Sequence, residues 1–178
     1  MHKAAVMGDT GVIDGLLMDK ANTDLLDKDS CTPLCLAIRQ ENYEAAQSLI
    51  EGGADVNLGG GIFGSPVHLA VVRLKISIIQ ALIDKKADLN KQDSDGNTPL
   101  HLVMNIFSKN PERCCHILEL LALNGARVNQ KNHDHWAPLH TAVRKGQEKG
   151  VHAVIRLNVK LTERNLEQFD LNITGGIQ

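Results

Sequence analysis

A period held across the chain constrains it more than any other feature, because copies of a short unit can bury their apolar surface only by stacking on one another. Four segments align: Thr32-Pro33-Leu34-Cys35-Leu36-Ala37, Ser65-Pro66-Val67-His68-Leu69-Ala70, Thr98-Pro99-Leu100-His101-Leu102-Val103 and Ala137-Pro138-Leu139-His140-Thr141-Ala142. Their prolines stand 33, 33 and 39 residues apart. A second marker keeps phase with the first: Gly53-Ala54-Asp55-Val56-Asn57, Lys86-Ala87-Asp88-Leu89-Asn90 and Gly125-Ala126-Arg127-Val128-Asn129. Met1-His2-Lys3-Ala4-Ala5 matches the middle of the first marker, with His2 standing 33 residues before Cys35, so the chain opens inside a copy.

Each marker has a physical job. Thr32, Ser65 and Thr98 sit where an N-cap oxygen can accept a backbone N–H, and the proline after each takes the first helical position, where its missing donor costs nothing. Leu100, Leu102 and Val103 then pack inward, and a second helix such as Ile78-Ile79-Gln80-Ala81-Leu82-Ile83 packs antiparallel behind. Gly53 and Gly125 can end such helices in the left-handed conformation; Lys86 cannot do so cheaply, and its copy is expected to end less cleanly. The connecting segments, such as Lys91 to Asn97, are rich in turn formers.

Composition agrees. Hydrophobic residues make up 43% of the chain and aromatics only 3%, which predicts an aliphatic core of the kind a helical array prefers. Nineteen basic and twenty-one acidic residues, without a long run of either, argue against general nucleic-acid binding. The amino terminus lacks the apolar region of a signal peptide, and no apolar stretch is long enough to cross a bilayer, so no direct membrane insertion is expected. Four cysteines are too few for a disulfide framework and point to a reducing compartment, cytoplasmic or nuclear.

The two markers in phase resemble the ankyrin repeat. The resemblance implies an all-α solenoid of paired antiparallel helices with β-turn fingers, forming one domain over residues 1–178 with about five repeats, the first partial. Their approximate spans are 1–26, 27–59, 60–92, 93–131 and 132–172, with 173–178 beginning a further finger. Two departures stand out. Six extra residues follow Val103 and are expected to lengthen the first helix, the loop between helices, or both. Roughly ten more fall near 160–169, ahead of Phe169-Asp170-Leu171-Asn172, which looks like another second marker. Neither end looks capped, and further repeats or domains of the same polypeptide are expected.

The residues that could carry chemistry are mostly explained by the repeat. Cys114-Cys115-His116 and His133-Asp134-His135 suggest metal binding, but adjacent helical cysteines diverge by about 100°. His2, His68, His101 and His140 are the repeat's own histidines, which in the family bond neighbouring fingers and helices. No metal and no cofactor are expected. Gly59-Gly60-Gly61 lacks the lysine and strand-to-helix setting of a phosphate loop, and reads as a flexible finger. No nucleophile stands beside a base that a third group orients, so the chain is not expected to be an enzyme.

The resemblance places partners on the concave face of finger tips and first helices. It implies a scaffold for another protein or peptide, or alternatively a regulatory or targeting segment of a larger enzyme or membrane channel. The expected site residues are Arg39, Gln40, Ile62, Phe63, Arg73, Asn97, Ile106, His133, Trp136, Arg144 and Lys145. Trp136 is the sole tryptophan, and Trp and Arg are the residues that most often carry binding energy. Ile62 and Phe63 are apolar where a polar turn is ordinary. Trp136, Phe63, Arg39, Arg73, Arg144 and Lys145 are expected to line one groove of basic character. Asn57, Asn90 and Asn129 each follow a leucine (Leu49, Leu82, Leu121) by eight residues, a pattern that resembles the target of asparaginyl hydroxylation. Their structural reading is a side chain that closes a turn on nearby backbone.

Overall fold

In a computed structural model of the chain, every Thr/Ser/Ala-Pro signal starts a helix. The structure describes the backbone of residues 1–174 and the side chains of residues 1–162. Five pairs follow in order: α1 (His2–Met7) and α2 (Thr10–Met18); α3 (Pro33–Arg39) and α4 (Tyr43–Glu51); α5 (Pro66–Val72) and α6 (Ile76–Asp84); α7 (Pro99–Ile106) and α8 (Pro111–Leu123); α9 (Pro138–Arg144) and α10 (Glu148–Thr174). Short 3-10 turns occupy Gly61–Phe63 and Phe107–Lys109, and no strand occurs among the described residues. The odd-numbered helices stack on one another as an inner layer, and the even-numbered helices form an outer layer behind them.

The core repeats with the sequence. Leu34, Val67 and Leu100 are buried, as are Ile38, Val71 and Met104 one turn later, while Leu49, Leu82 and Leu121 fill the same place in the outer layer. Each such side chain contributes about 1.5–3 kcal/mol relative to an exposed one. That gain is available only when a neighbouring repeat covers it.

Polar bonds fix the register. His68 Nδ1 accepts the Ser65 N–H at 3.0 Å, and its Nε2 lies 2.9 Å from the Asn97 carbonyl in the next finger. His101 does the same with the Thr98 N–H at 3.1 Å and the Trp136 carbonyl at 2.8 Å. A backbone N–H can only donate and a carbonyl only accept, so both rings are neutral with the proton on Nε2. Burial holds both imidazoles below their ordinary value, against the opposing pull of the accepting carbonyl. Where Cys35 replaces the histidine, the Thr32 hydroxyl caps α3 instead, accepting the Cys35 N–H at 3.3 Å.

Three expectations are corrected. Lys86 does end its repeat cleanly: it takes φ 63°, and the Ala87 N–H reaches the Leu82 carbonyl at 2.9 Å, as Ala54 reaches Leu49 and Ala126 reaches Leu121 at 3.0 Å. The cost falls on a side chain in the left-handed region and leaves the cap intact. The insertion after Val103 mainly extends the second helix. α8 has 13 residues where α4 and α6 have nine, because Asn110 caps it by accepting the Arg113 N–H at 3.1 Å and Pro111 opens it. α6 and α8 consequently meet less closely than the other outer neighbours.

The third correction concerns the last repeat. α10 runs unbroken from Glu148 to Thr174 through the expected insertion and through Phe169–Asn172. No glycine or proline falls between Gly150 and Gly175 to stop it. Of the further finger expected at 173–178, the first two residues are helical and the rest lie outside the described residues.

Candidate functional site

Fingers and inner helices together make a concave face with two adjoining recesses. The first, of about 420 Å³, is lined by Arg39 from α3, Leu69, Val72 and Arg73 at the end of α5, Leu102 of α7, Asp93, and the Ile62-Phe63 finger. The Arg39 guanidinium lies 5.6 Å from the centre of the Phe63 ring. Arg73 donates to the Arg39 carbonyl at 2.7 Å and pairs with Glu41 at 3.5 Å. Ile62 is 73% exposed and Phe63 47%, an apolar tip presented to solvent.

The glycines beneath that tip hold it in place. Gly59, Gly60 and Gly61 all have positive φ, and a Cβ on Gly60 would strike the Gly64 carbonyl while one on Gly61 would strike that of Asp29. These positive-φ positions and close backbone approaches are ones that only glycine meets without strain.

The second recess, of about 330 Å³, lies between the third and fourth fingers and the ends of α7 and α9. Asn97, His133, Trp136, Arg144 and Lys145 line it with Ser94, Asp95, Asn105, Asn132, Asp134 and Thr141. The Arg144 guanidinium sits 4.5 Å from the centre of the Trp136 ring. Lys145 Nζ donates to the Asn105 carbonyl at 2.9 Å, and Asn132 Nδ2 donates to Asn97 Oδ1 at 3.0 Å. The fingers touch directly: the His133 N–H donates to the Asp95 carbonyl at 3.2 Å, and a Cβ on Gly96 would meet the His133 ring.

The expected single basic groove is thus two recesses, and each mixes charge because the fingers use aspartate as a turn former. Asp93, Asp95 and Asp134 face the same spaces as Arg39, Arg73, Arg144 and Lys145. Ile106 is not on this face: it is 9% exposed and packs into the core. Gln40 is exposed at the end of α3 but lines neither recess. Phe107, in the inserted segment, is 2% exposed and also belongs to the core. Leu102 and Thr141 join the face without having been expected there. Thr141, a polar residue in register with Leu36, Leu69 and Leu102, is the signal that points to it.

A family model described as "Ankyrin repeats (3 copies)" matches residues 67–165, and one described as "Ankyrin repeat" matches residues 29–60. The chain belongs to the ankyrin-repeat family. No curated protein matches it. Ankyrin repeats are generally protein-interaction modules, and in this ankyrin array no helix among the described residues is long and apolar enough to cross a membrane.

In the ankyrin frame the asparagines work between repeats rather than within a turn. Asn57 Oδ1 accepts the Asp88 N–H at 2.7 Å, and Asn90 Oδ1 accepts the Arg127 N–H at 2.7 Å. Asp24, in register with them, accepts the Asp55 N–H at 2.9 Å. Asn129 contacts the Asn158 side chain at 3.4 Å. Among the described residues no group of three His, Cys, Asp or Glu side chains could hold a metal ion. Burial pushes the Cys35 thiol up to about 12 and Cys114 up to about 11, which leaves both poor nucleophiles at neutral pH.

Proposed function

We propose that this chain is a non-catalytic platform that receives a partner protein or peptide across both concave recesses. Trp136 carries the reading. Its backbone carbonyl is needed by His101, but its ring serves no joint of the repeat and lies half-buried beneath Arg144, beside an open recess. A pre-placed aromatic–guanidinium pair loses little freedom on binding and is a common centre of interface energy. The Phe63–Arg39 pair repeats the device in the neighbouring recess. Asn57, Asn90 and Asn129 are proposed as hydroxylation positions; intact mass of cell-derived protein, with or without 16 Da increments, decides this.

The test is affinity capture from cells with the wild type and a Trp136→Ala, Arg144→Ala double variant of matched melting temperature. Partners retained by the wild type should be lost by the variant, because truncating a hot-spot pair costs about 2 kcal/mol or more, roughly 30-fold in Kd. Equal retention by both proteins removes this face from the account.

A further inference from the structure

The first recess holds a cation that the repeats around it leave without a carboxylate. Three consecutive repeats wall this recess: Arg39 comes from α3, Phe63, Leu69 and Val72 from the next finger and helix, and Asp93 and Leu102 from the repeat after that. Neighbours on both sides therefore set its shape. Four apolar side chains front the open space, with Phe63 and Val72 exposed, Leu102 half-buried and Leu69 buried.

The charged groups here are unequal. Arg73 is already engaged, with Glu41 at 3.5 Å and the Arg39 carbonyl at 2.7 Å. Asp93, the one carboxylate lining the recess among the described residues, serves its own finger: its Oδ1 accepts the N–H of Asp95 at 2.9 Å and of Asn97 at 2.8 Å. Arg39 has no such partner. Among the described residues no carboxylate lies within 4.0 Å of its guanidinium, and the acceptor it reaches is the Cys31 sulfur at 3.8 Å. The group is half-buried, lies against the Phe63 ring and carries five donors in a fork that matches a carboxylate.

We propose that the first recess selects a partner segment that sets a large apolar side chain against Phe63, Val72 and Leu102 and, beside it, an aspartate or glutamate carboxylate on Arg39. The selection rests on the concave face being the partner site, and specifies what the partner brings there. The guanidinium lies 5.6 Å from the ring centre, and an extended chain rises about 3.3 Å per residue. The apolar and acidic residues therefore stand within about two positions of each other. A carboxylate suits the recess better than a phosphate, because one unpaired guanidinium beside Asp93 balances a single negative charge and not two. A basic segment would meet Arg39 and Arg73 as like charges.

The test is selection of a random dodecapeptide phage library on the full chain and, in parallel, on Arg39→Gln, which keeps the backbone carbonyl that Arg73 uses. Matched melting curves establish that the variant is folded. Peptides taken by the wild type should share an aliphatic or aromatic residue with Asp or Glu within two positions of it. Alanine at that acid should weaken binding to the wild type about tenfold. On Arg39→Gln the acid preference should vanish, and the peptides should bind equally with and without the acid. The proposal is overturned by a library that yields no binder or binders without an acid preference. It is equally overturned by an acid preference that persists on Arg39→Gln, or by a phosphoserine at the acid's position that binds more tightly than aspartate. Capture with the Trp136→Ala, Arg144→Ala variant reads the concave face separately. Partners lost there while the acid preference is missing here overturn this selection alone, whereas partners equally retained there overturn the reading it rests on.

Discussion

Lys86 and the two buried histidines show how single residues carry the joints between repeats. Lys86 holds φ 63° where its counterparts Gly53 and Gly125 sit at 89° and 100°. Its side chain is exposed, so only the backbone conformation weighs against it. Lys86→Gly should therefore raise stability by about 0.5–1 kcal/mol, the left-handed penalty less the extra entropy of an unfolded glycine. An unchanged or lower urea midpoint would count against this cap geometry. His68 and His101 give the fold a pH dependence. Burial lowers their folded values below 6.5, so as pH falls the unfolded chain binds protons first. Their contribution is complete above about pH 6.5 and is lost progressively below it. The urea midpoint should be lower at pH 5.5 than at pH 7.5, and nitrogen-detected spectra at pH 7.5 should show both rings protonated on Nε2. A midpoint that rises on acidification contradicts the assignment.

At the scale of the element, the inserted six residues illustrate what can be read from sequence. Thr32-Pro33, Ser65-Pro66 and Thr98-Pro99 locate three inner helices to the residue, because a cap and an N-terminal proline are local signals. Asn110-Pro111 is the same signal. The spacing from Val103 alone points to the first helix and the loop, whereas the cap at Asn110 gives most of the insertion to α8. Asn110→Ala should cost about 1 kcal/mol, since Arg113 loses a side-chain acceptor for its N–H. No change in the thermal midpoint would mean that Pro111 and the packing of Phe107 fix α8 without the cap. The run from Glu148 to Thr174 misleads in the opposite sense. Phe169-Asp170-Leu171-Asn172 looks like a marker, but a likeness of four residues cannot end a helix without a breaker.

Across the whole molecule, the fold is legible in the sequence and the face only partly so. Core positions repeat with the period, so the spacing alone matches Leu49, Leu82 and Leu121 to one another. The recesses join residues 30 to 40 positions apart, such as Asn97 with Asn132 and Asn105 with Lys145, and their shape depends on how each finger meets the next. Register places Ile106 on that face, but α7 carries one residue more than α5 and turns it inward. The mixed charge of the recesses is hidden for the same reason: aspartates that read as turn formers also line them. The most direct test is amide hydrogen exchange of the chain with and without a captured partner. Exchange should slow at Ile62 to Arg73, Ser94 to Asn97, and His133 to Lys145, leaving the outer helices α4, α6 and α8 unchanged. Protection confined to those outer helices would contradict the concave face as the site of binding.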